Sequence, residues 1–68
     1  MPQRILYTSH ARQRMVLRGI SHHEVEEAIR KGSKRMQDGN VVASYLYFEV
    51  VYAVRGRVIV VITVQRRW

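Results

Sequence analysis

Sixty-eight residues suffice for one domain with a small core, because a chain of this length buries only about 60% of the surface its unfolded form exposes. The absence of cysteine excludes a disulfide framework and a thiolate metal site, and fits a reducing, cytoplasmic setting. Twelve Lys and Arg stand against five Asp and Glu, a net charge of +7 that draws polyanions, RNA before others. Ten of the twelve are Arg, the side chain that forks onto phosphate oxygens and stacks on bases.

The elements follow in chain order. Met1 to Tyr7 carries Gln3 and Arg4 and has no apolar stretch of the kind an export signal needs. Ile5 to Tyr7 suits a short edge strand. Thr8 can cap a helix from about Ser9 to Arg18, and Gly19 supplies a left-handed residue to end it. Ser21-His22-His23-Glu24 has the spacing of a capping box, and Ile20 with Val25 that of a hydrophobic staple. Val25, Ala28 and Ile29 form the apolar stripe of this second helix. Its acids Glu24, Glu26 and Glu27 suit the positive end, Arg30 and Lys31 the negative end, and Gly32 stops it.

Beyond Gly32 the period changes. Asp38-Gly39 is a hairpin signal between Lys34–Gln37 and Val41–Ser44. Leu46–Val54 and Val58–Gln65 are rich in β-branched and aromatic residues and read as long strands joined by Arg55-Gly56-Arg57. A three-residue loop places Phe48, Val50, Tyr52 and Val54 on one face with Val58, Val60, Ile62 and Val64. A two-residue loop would mix the faces, so the apolar set selects the first register. The other face then pairs Glu49 with Thr63, Tyr47 with Gln65 and Tyr45 with Arg67. Being half apolar and uncovered, that face suits a partner. Val58 to Val64, a predominantly apolar run, is far too short to span a bilayer, and no membrane association is expected.

His10, Arg14 and Arg18 recur at steps of four and so line one flank of the first helix. An imidazole with two guanidinium groups can cleave RNA without a metal. The imidazole moves the proton of the 2′-hydroxyl or of the leaving oxygen, and the guanidinium groups offset charge on the phosphate. A structural role fits the same residues: cations are favoured near a helix C-terminus, and His10 can simply pack. His22 and His23 are adjacent and diverge around the helix, so they do not form a metal pair. Tyr45 and Tyr47 can stack on bases, and Arg66-Arg67-Trp68 forms a second basic cluster.

Tyr7-Thr8-x-His10-Ala11-Arg12-x-Arg14-Met15-x-x-Arg18-Gly19-Ile20-Ser21 resembles the domain-of-unknown-function 4258 family. The likeness continues through Glu24-Val25-Glu26-Glu27-Ala28-Ile29 and resumes at Val50-Val51-Tyr52 and Val60-Val61-Ile62-Thr63-Val64. The length of the strand from Leu46 and the Arg66-Arg67-Trp68 ending are not features matched to that family. That family looks like a compact relative of the RelE/ParE-type toxins, which set N-terminal helices against an antiparallel sheet. The wider group includes endoribonucleases encoded beside a neutralising antitoxin, and relatives that poison gyrase. By position the resemblance implicates His10, Arg14 and Arg18, with Thr63 on the last strand.

The expected architecture is one α+β domain over residues 1–68, RelE-like, with two N-terminal helices, about 9–18 and 22–31. They pack on a three- to four-stranded antiparallel sheet, about 34–37, 41–54 and 58–65. The expected function is a toxin-type, metal-independent endoribonuclease. His10, Arg14, Arg18 and Thr63 would be catalytic, while Arg12, Tyr45, Tyr47, Arg66 and Arg67 would hold RNA, free or on the ribosome. No cofactor or metal is expected. An acidic antitoxin would mask the basic stripe, and the uncovered face suits a second copy. A non-catalytic RNA-binding module and a protein-interaction module account for the same residues.

Overall fold

The computed structural model describes residues 4–67. Residues 1–3 and Trp68 lie outside that description, and with them the opening of the Met1–Tyr7 segment and the end of the Arg66-Arg67-Trp68 tail. Strand β1 (Arg4–Tyr7) leads into helices α1 (Ser9–Arg18) and α2 (His22–Lys31). Strands β2 (Ser33–Gln37), β3 (Asn40–Tyr45), β4 (Phe48–Arg55) and β5 (Val58–Arg66) follow.

Each helix starts on a capping side chain and stops at a glycine. Thr8 accepts from the Ala11 amide through its hydroxyl oxygen, 3.0 Å, satisfying one of the amides that a helix start leaves unpaired. At the other end Gly19 adopts φ 68°, and the Gly19 and Ile20 amides donate back to the Val16 and Met15 carbonyls. This is the Schellman arrangement, and it turns Ile20 inward beside Met15. The Ser21–Glu24 capping box is complete, with both reciprocal hydrogen bonds formed.

Gly32 ends α2 for a different reason. Its φ is −67°, open to any residue, but a Cβ there would stand 2.5 Å from the Ala28 carbonyl oxygen and 2.8 Å from that of Ser44. Glycine lets α2 close onto β3. Gly32→Ala is therefore expected to destabilise the fold by about 1–3 kcal/mol through forced backbone displacement, read as a lower urea midpoint at unchanged slope.

The strand order is β1-β5-β4-β3-β2. The sheet is mixed and five-stranded, where three to four antiparallel strands were expected: β1 pairs with β5 in parallel, and the other three pairs are antiparallel. The stretch 41–54 is two strands, broken at Leu46-Tyr47, where Leu46 takes φ 53°. The Asp38-Gly39 turn lies where the sequence places it, with both residues at positive φ.

The register of β4 and β5 differs from the expected one, and a bulge is the reason. Arg55 pairs with Val58, so the loop has two residues, Gly56 and Arg57. Pairing runs to Tyr52–Val61, then resumes one residue out of step at Val51–Thr63, leaving Ile62 as the extra residue. The inserted residue restores the faces that a two-residue loop would have mixed. Ile59, Val61 and Val64, rather than Val58, Val60 and Ile62, face the helices with Phe48, Val50 and Tyr52. The bulge also anchors the α1 start, because the Thr8 hydroxyl donates to the Ile62 carbonyl at 2.9 Å and its amide to that of Val61 at 3.1 Å.

Ala11, Met15, Ile20, Val25 and Ala28 of the helical layer meet these sheet residues in one apolar cluster. α1 packs on β5, and α2 on β3 and β4. Among the described residues no helix is long and apolar enough to cross a membrane.

Candidate nucleic-acid interface

The chain's acids lie away from α1. Glu24, Glu26 and Glu27 are on α2, Asp38 in the β2–β3 turn and Glu49 on β4. Glu27 is engaged by His23, Arg30 and Lys31, and Glu49 by Arg35. No ion pair among the described residues involves an α1 arginine, so the positive field of α1 is uncompensated there.

Ala11 and Met15 fix the orientation of α1 by entering the core. Helical periodicity then sets His10, Arg14 and Arg18 along one flank and Arg12 with Val16 along the other. His10 is exposed, whereas Arg14 and Arg18 are half-buried. Arg18 Nε is buried and has no hydrogen-bond partner. Beside it opens a hollow of about 260 Å³ bounded by Leu17, Arg18, Tyr47, Phe48 and Arg66.

Strand pairing assembles that hollow. Phe48 lies opposite Arg66 at the first rung of β4–β5. Tyr47, in the preceding turn, sets its ring 5.4 Å from that of Phe48, edge to face. Arg67 fastens the strand end to the same turn, its amide donating to the Tyr47 carbonyl and its guanidinium to that of Leu46. Two arginines and two aromatic residues thus line one hollow, and no acidic residue does. Such a set suits a phosphate oxygen with a stacked base.

The family described as "Domain of unknown function (DUF4258)" matches residues 7–66. The chain belongs to this family. Its fold is similar to that of a chain in the toxin–antitoxin complex RelBE2 from Mycobacterium tuberculosis, with a TM-score of 0.70 and 17% sequence identity. The match covers 98% of this chain and 100% of that one. No curated protein matches. The architecture of this chain is α+β, and likeness at this identity speaks for the fold alone.

In this DUF4258 chain the residues singled out from sequence are only partly gathered. Arg18, Tyr47 and Arg66 share the hollow, with Leu17 and Phe48 as apolar walls that the sequence did not point to. His10 stands two helical turns from Arg18, about 12 Å along the axis at ~1.5 Å per residue. Thr63 lies elsewhere: it pairs with Val51 and lines a hollow with Asn40, Val42 and Gln65 to which α1 contributes nothing. Tyr45 does not share a strand with Tyr47. It packs against the core with its ring 6.2 Å from Phe48.

That sheet face holds a polar network which sequence reasoning did not assemble. Glu49, only 6% exposed, accepts from Arg35 Nη1 at 2.9 Å, from the Ser44 hydroxyl at 2.9 Å and from Gln65 Nε2 at 3.0 Å. The Arg35 hydrogen bond foremost, then those from Gln65 and Ser44, hold its carboxyl down at about 2 against the opposing effect of burial. The expected Glu49–Thr63 and Tyr47–Gln65 pairings are replaced by Glu49–Gln65, a consequence of the two-residue loop and the bulge. Had that register been chosen, the opposed Glu49, Ser44 and Gln65 would have been the signal. On the helix side, Tyr7 sets its ring 4.4 Å from His22; burial, then the Glu26 carboxylate, raises the Tyr7 pKa.

Proposed function

We propose that this chain is the RNA-directed, toxin-type member of a toxin–antitoxin pair and cleaves RNA without a metal. The reading is carried by the hollow in which Arg18 and Arg66 converge with Tyr47, with no acid in its lining. The RelE-like fold, shared with a chain of a toxin–antitoxin complex, supports the same reading.

In the proposed reaction a strand lies along the α1 flank with one phosphate at Arg18 and Arg66 and a base against Tyr47. The neighbouring phosphate meets Arg14 and His10. The His10 imidazole takes the proton of the ribose 2′-hydroxyl, whose oxygen attacks phosphorus. The bond to the 5′-oxygen breaks, leaving a 2′,3′-cyclic phosphate and a 5′-alkoxide that takes a proton from water to become the 5′-hydroxyl, while the imidazolium releases its proton to water. Arg14 stabilises the charge that grows on the phosphoryl oxygens. Arg12 and Arg67 add long-range attraction. Thr63 and Tyr45 are given no part, because the one lines a different hollow and the other, partly buried, packs against the core.

The test is incubation of the purified chain with single-stranded RNA and with messenger bound to ribosomes, in the presence of a chelator. Cleavage that persists in the chelator is the expected result; RNA left intact under both conditions would overturn the proposal. One observation favours a second reading, a non-catalytic RNA-binding module: His10 does not line the Arg18 hollow. That reading predicts salt-sensitive binding without product.

A further inference from the structure

Leu46 is satisfied neither by its backbone nor by its surroundings. It stands in the turn between β3 and β4 with φ 53°, and it is 57% exposed. A bulky side chain at positive φ is strained, and exposure gives no burial in return. Asn or Gly would serve the turn better, so folding alone does not account for a leucine there. Nor does Leu46 stand alone. Tyr47 follows it, half-exposed, and shares the Arg18–Arg66 hollow with Leu17 at the end of α1. Leu17 is 70% exposed and Val16, beside it, 84%. These four side chains form one apolar patch where the end of α1 meets the β3–β4 turn. Arginines border it: Arg12 shares a hollow with Val16 and Leu17, while Arg18 and Arg66 share the other with Leu17 and Tyr47. Neither hollow has an acidic residue in its lining.

We infer that this patch adsorbs the chain onto the surface of an anionic lipid bilayer. Val16, Leu17 and Leu46 enter the boundary between headgroups and acyl chains, Tyr47 lies at headgroup level, and Arg12, Arg18 and Arg66 meet lipid phosphates. The expected lack of membrane association rests on the length of Val58–Val64, and adsorption needs no spanning segment. The make-up of the patch selects this occupant. Nucleic acid would satisfy the arginines, but it offers stacking faces and polar edges to three aliphatic side chains that can neither stack nor hydrogen-bond. A second copy docked two-fold would gather two sets of Arg12, Arg18 and Arg66 in one contact, which like charge disfavours. An anionic bilayer supplies an apolar layer and negative charge together, and the chain's net charge of +7 draws it there. The inference stands without the RNA reading, because the exposed aliphatic side chains have no part in that reaction.

Co-sedimentation of the full chain with lipid vesicles tests it. Phosphatidylcholine vesicles containing phosphatidylglycerol are expected to carry the protein down, and pure phosphatidylcholine vesicles to leave most of it in solution. Added salt should weaken the binding by screening the arginines from the surface. Leu46→Asn should lower partitioning onto the phosphatidylglycerol vesicles roughly tenfold, the loss expected when one aliphatic side chain no longer leaves water. Asn is at ease at positive φ, so this variant should melt no lower than the parent, which circular dichroism verifies. Single-stranded RNA, titrated alongside, should bind both proteins equally, because Leu46 lies outside the proposed RNA contacts. RNA binding absent from both would count against that reading and leave this one standing. The inference is overturned by no sedimentation, by equal sedimentation with the two kinds of vesicle, or by Leu46→Asn partitioning like the parent. A variant that loses RNA and vesicles together, or a dimer of the parent that Leu46→Asn dissolves, overturns it equally.

Discussion

Glu49→Gln is expected to remove a loss of about 2–3 kcal/mol in folding stability that the parent protein undergoes between about pH 5 and pH 2. The Glu49 carboxyl is held at about 2 in the folded chain, against an ordinary value of 4.5. The unfolded chain therefore takes up the proton first as pH falls. The stabilisation is fully present above the unfolded value and drains away as pH drops from there through about 2. The full difference would give slightly over 3 kcal/mol, and the half-exposed Arg35 guanidinium trims it through solvent screening. At neutral pH the Gln variant should be less stable than the parent by a similar amount, because charge-assisted hydrogen bonds from Arg35 and Ser44 become neutral ones. A chain of this size has about 3–10 kcal/mol in total, so the parent should approach unfolding at low pH. Urea denaturation across that pH range measures it. Parallel stability profiles for parent and variant would show that the network contributes no acid dependence.

The network also marks where sequence stops being informative. Caps were legible because each is a local contact: Thr8 to Ala11, Ser21 to Glu24, and Gly19 closing α1. Asp38-Gly39 was legible for the same reason, both residues being at ease with positive φ. Leu46 was not. An apolar residue at φ 53° gives no turn signal, and Tyr45-Leu46-Tyr47 reads as continuous strand. Face assignment on β5 failed at one residue, since strict alternation takes an uninterrupted ladder for granted and Ile62 interrupts it. The parallel pairing of β1 with β5 joins residues more than fifty positions apart, and nothing local dictates it. The same dependence governs the candidate site. Arg18, Tyr47 and Arg66 each drew attention separately, but their meeting requires both the Leu46-Tyr47 turn and the Phe48–Arg66 rung.

His10→Ala and Arg18→Ala are expected to fail in different ways. In the proposed reaction His10 moves a proton and contributes little to holding the strand. Its loss should cut single-turnover cleavage by roughly 10²- to 10⁴-fold, the usual contribution of a positioned acid or base, while binding stays near the parent value. In the same proposal Arg18, which lines the hollow, grips a phosphate. Removing it should weaken binding and lower the slope of log affinity against log salt by about 0.7, the value for one phosphate contact on a single strand. Arg66→Ala should act likewise, since it lines the same hollow. Titrations at several salt concentrations, beside single-turnover cleavage of the same RNA, separate the two effects. A His10→Ala protein that cleaves like the parent would remove His10 from the chemistry. If the parent protein yields no product while Arg18→Ala still loses salt-dependent affinity, the chain binds RNA and does not cut it. The 12 Å between His10 and Arg18, at ~1.5 Å per residue, makes this pair of variants decisive. Two groups so separated do not meet the same phosphate, so chemistry at one and grip at the other can be removed independently.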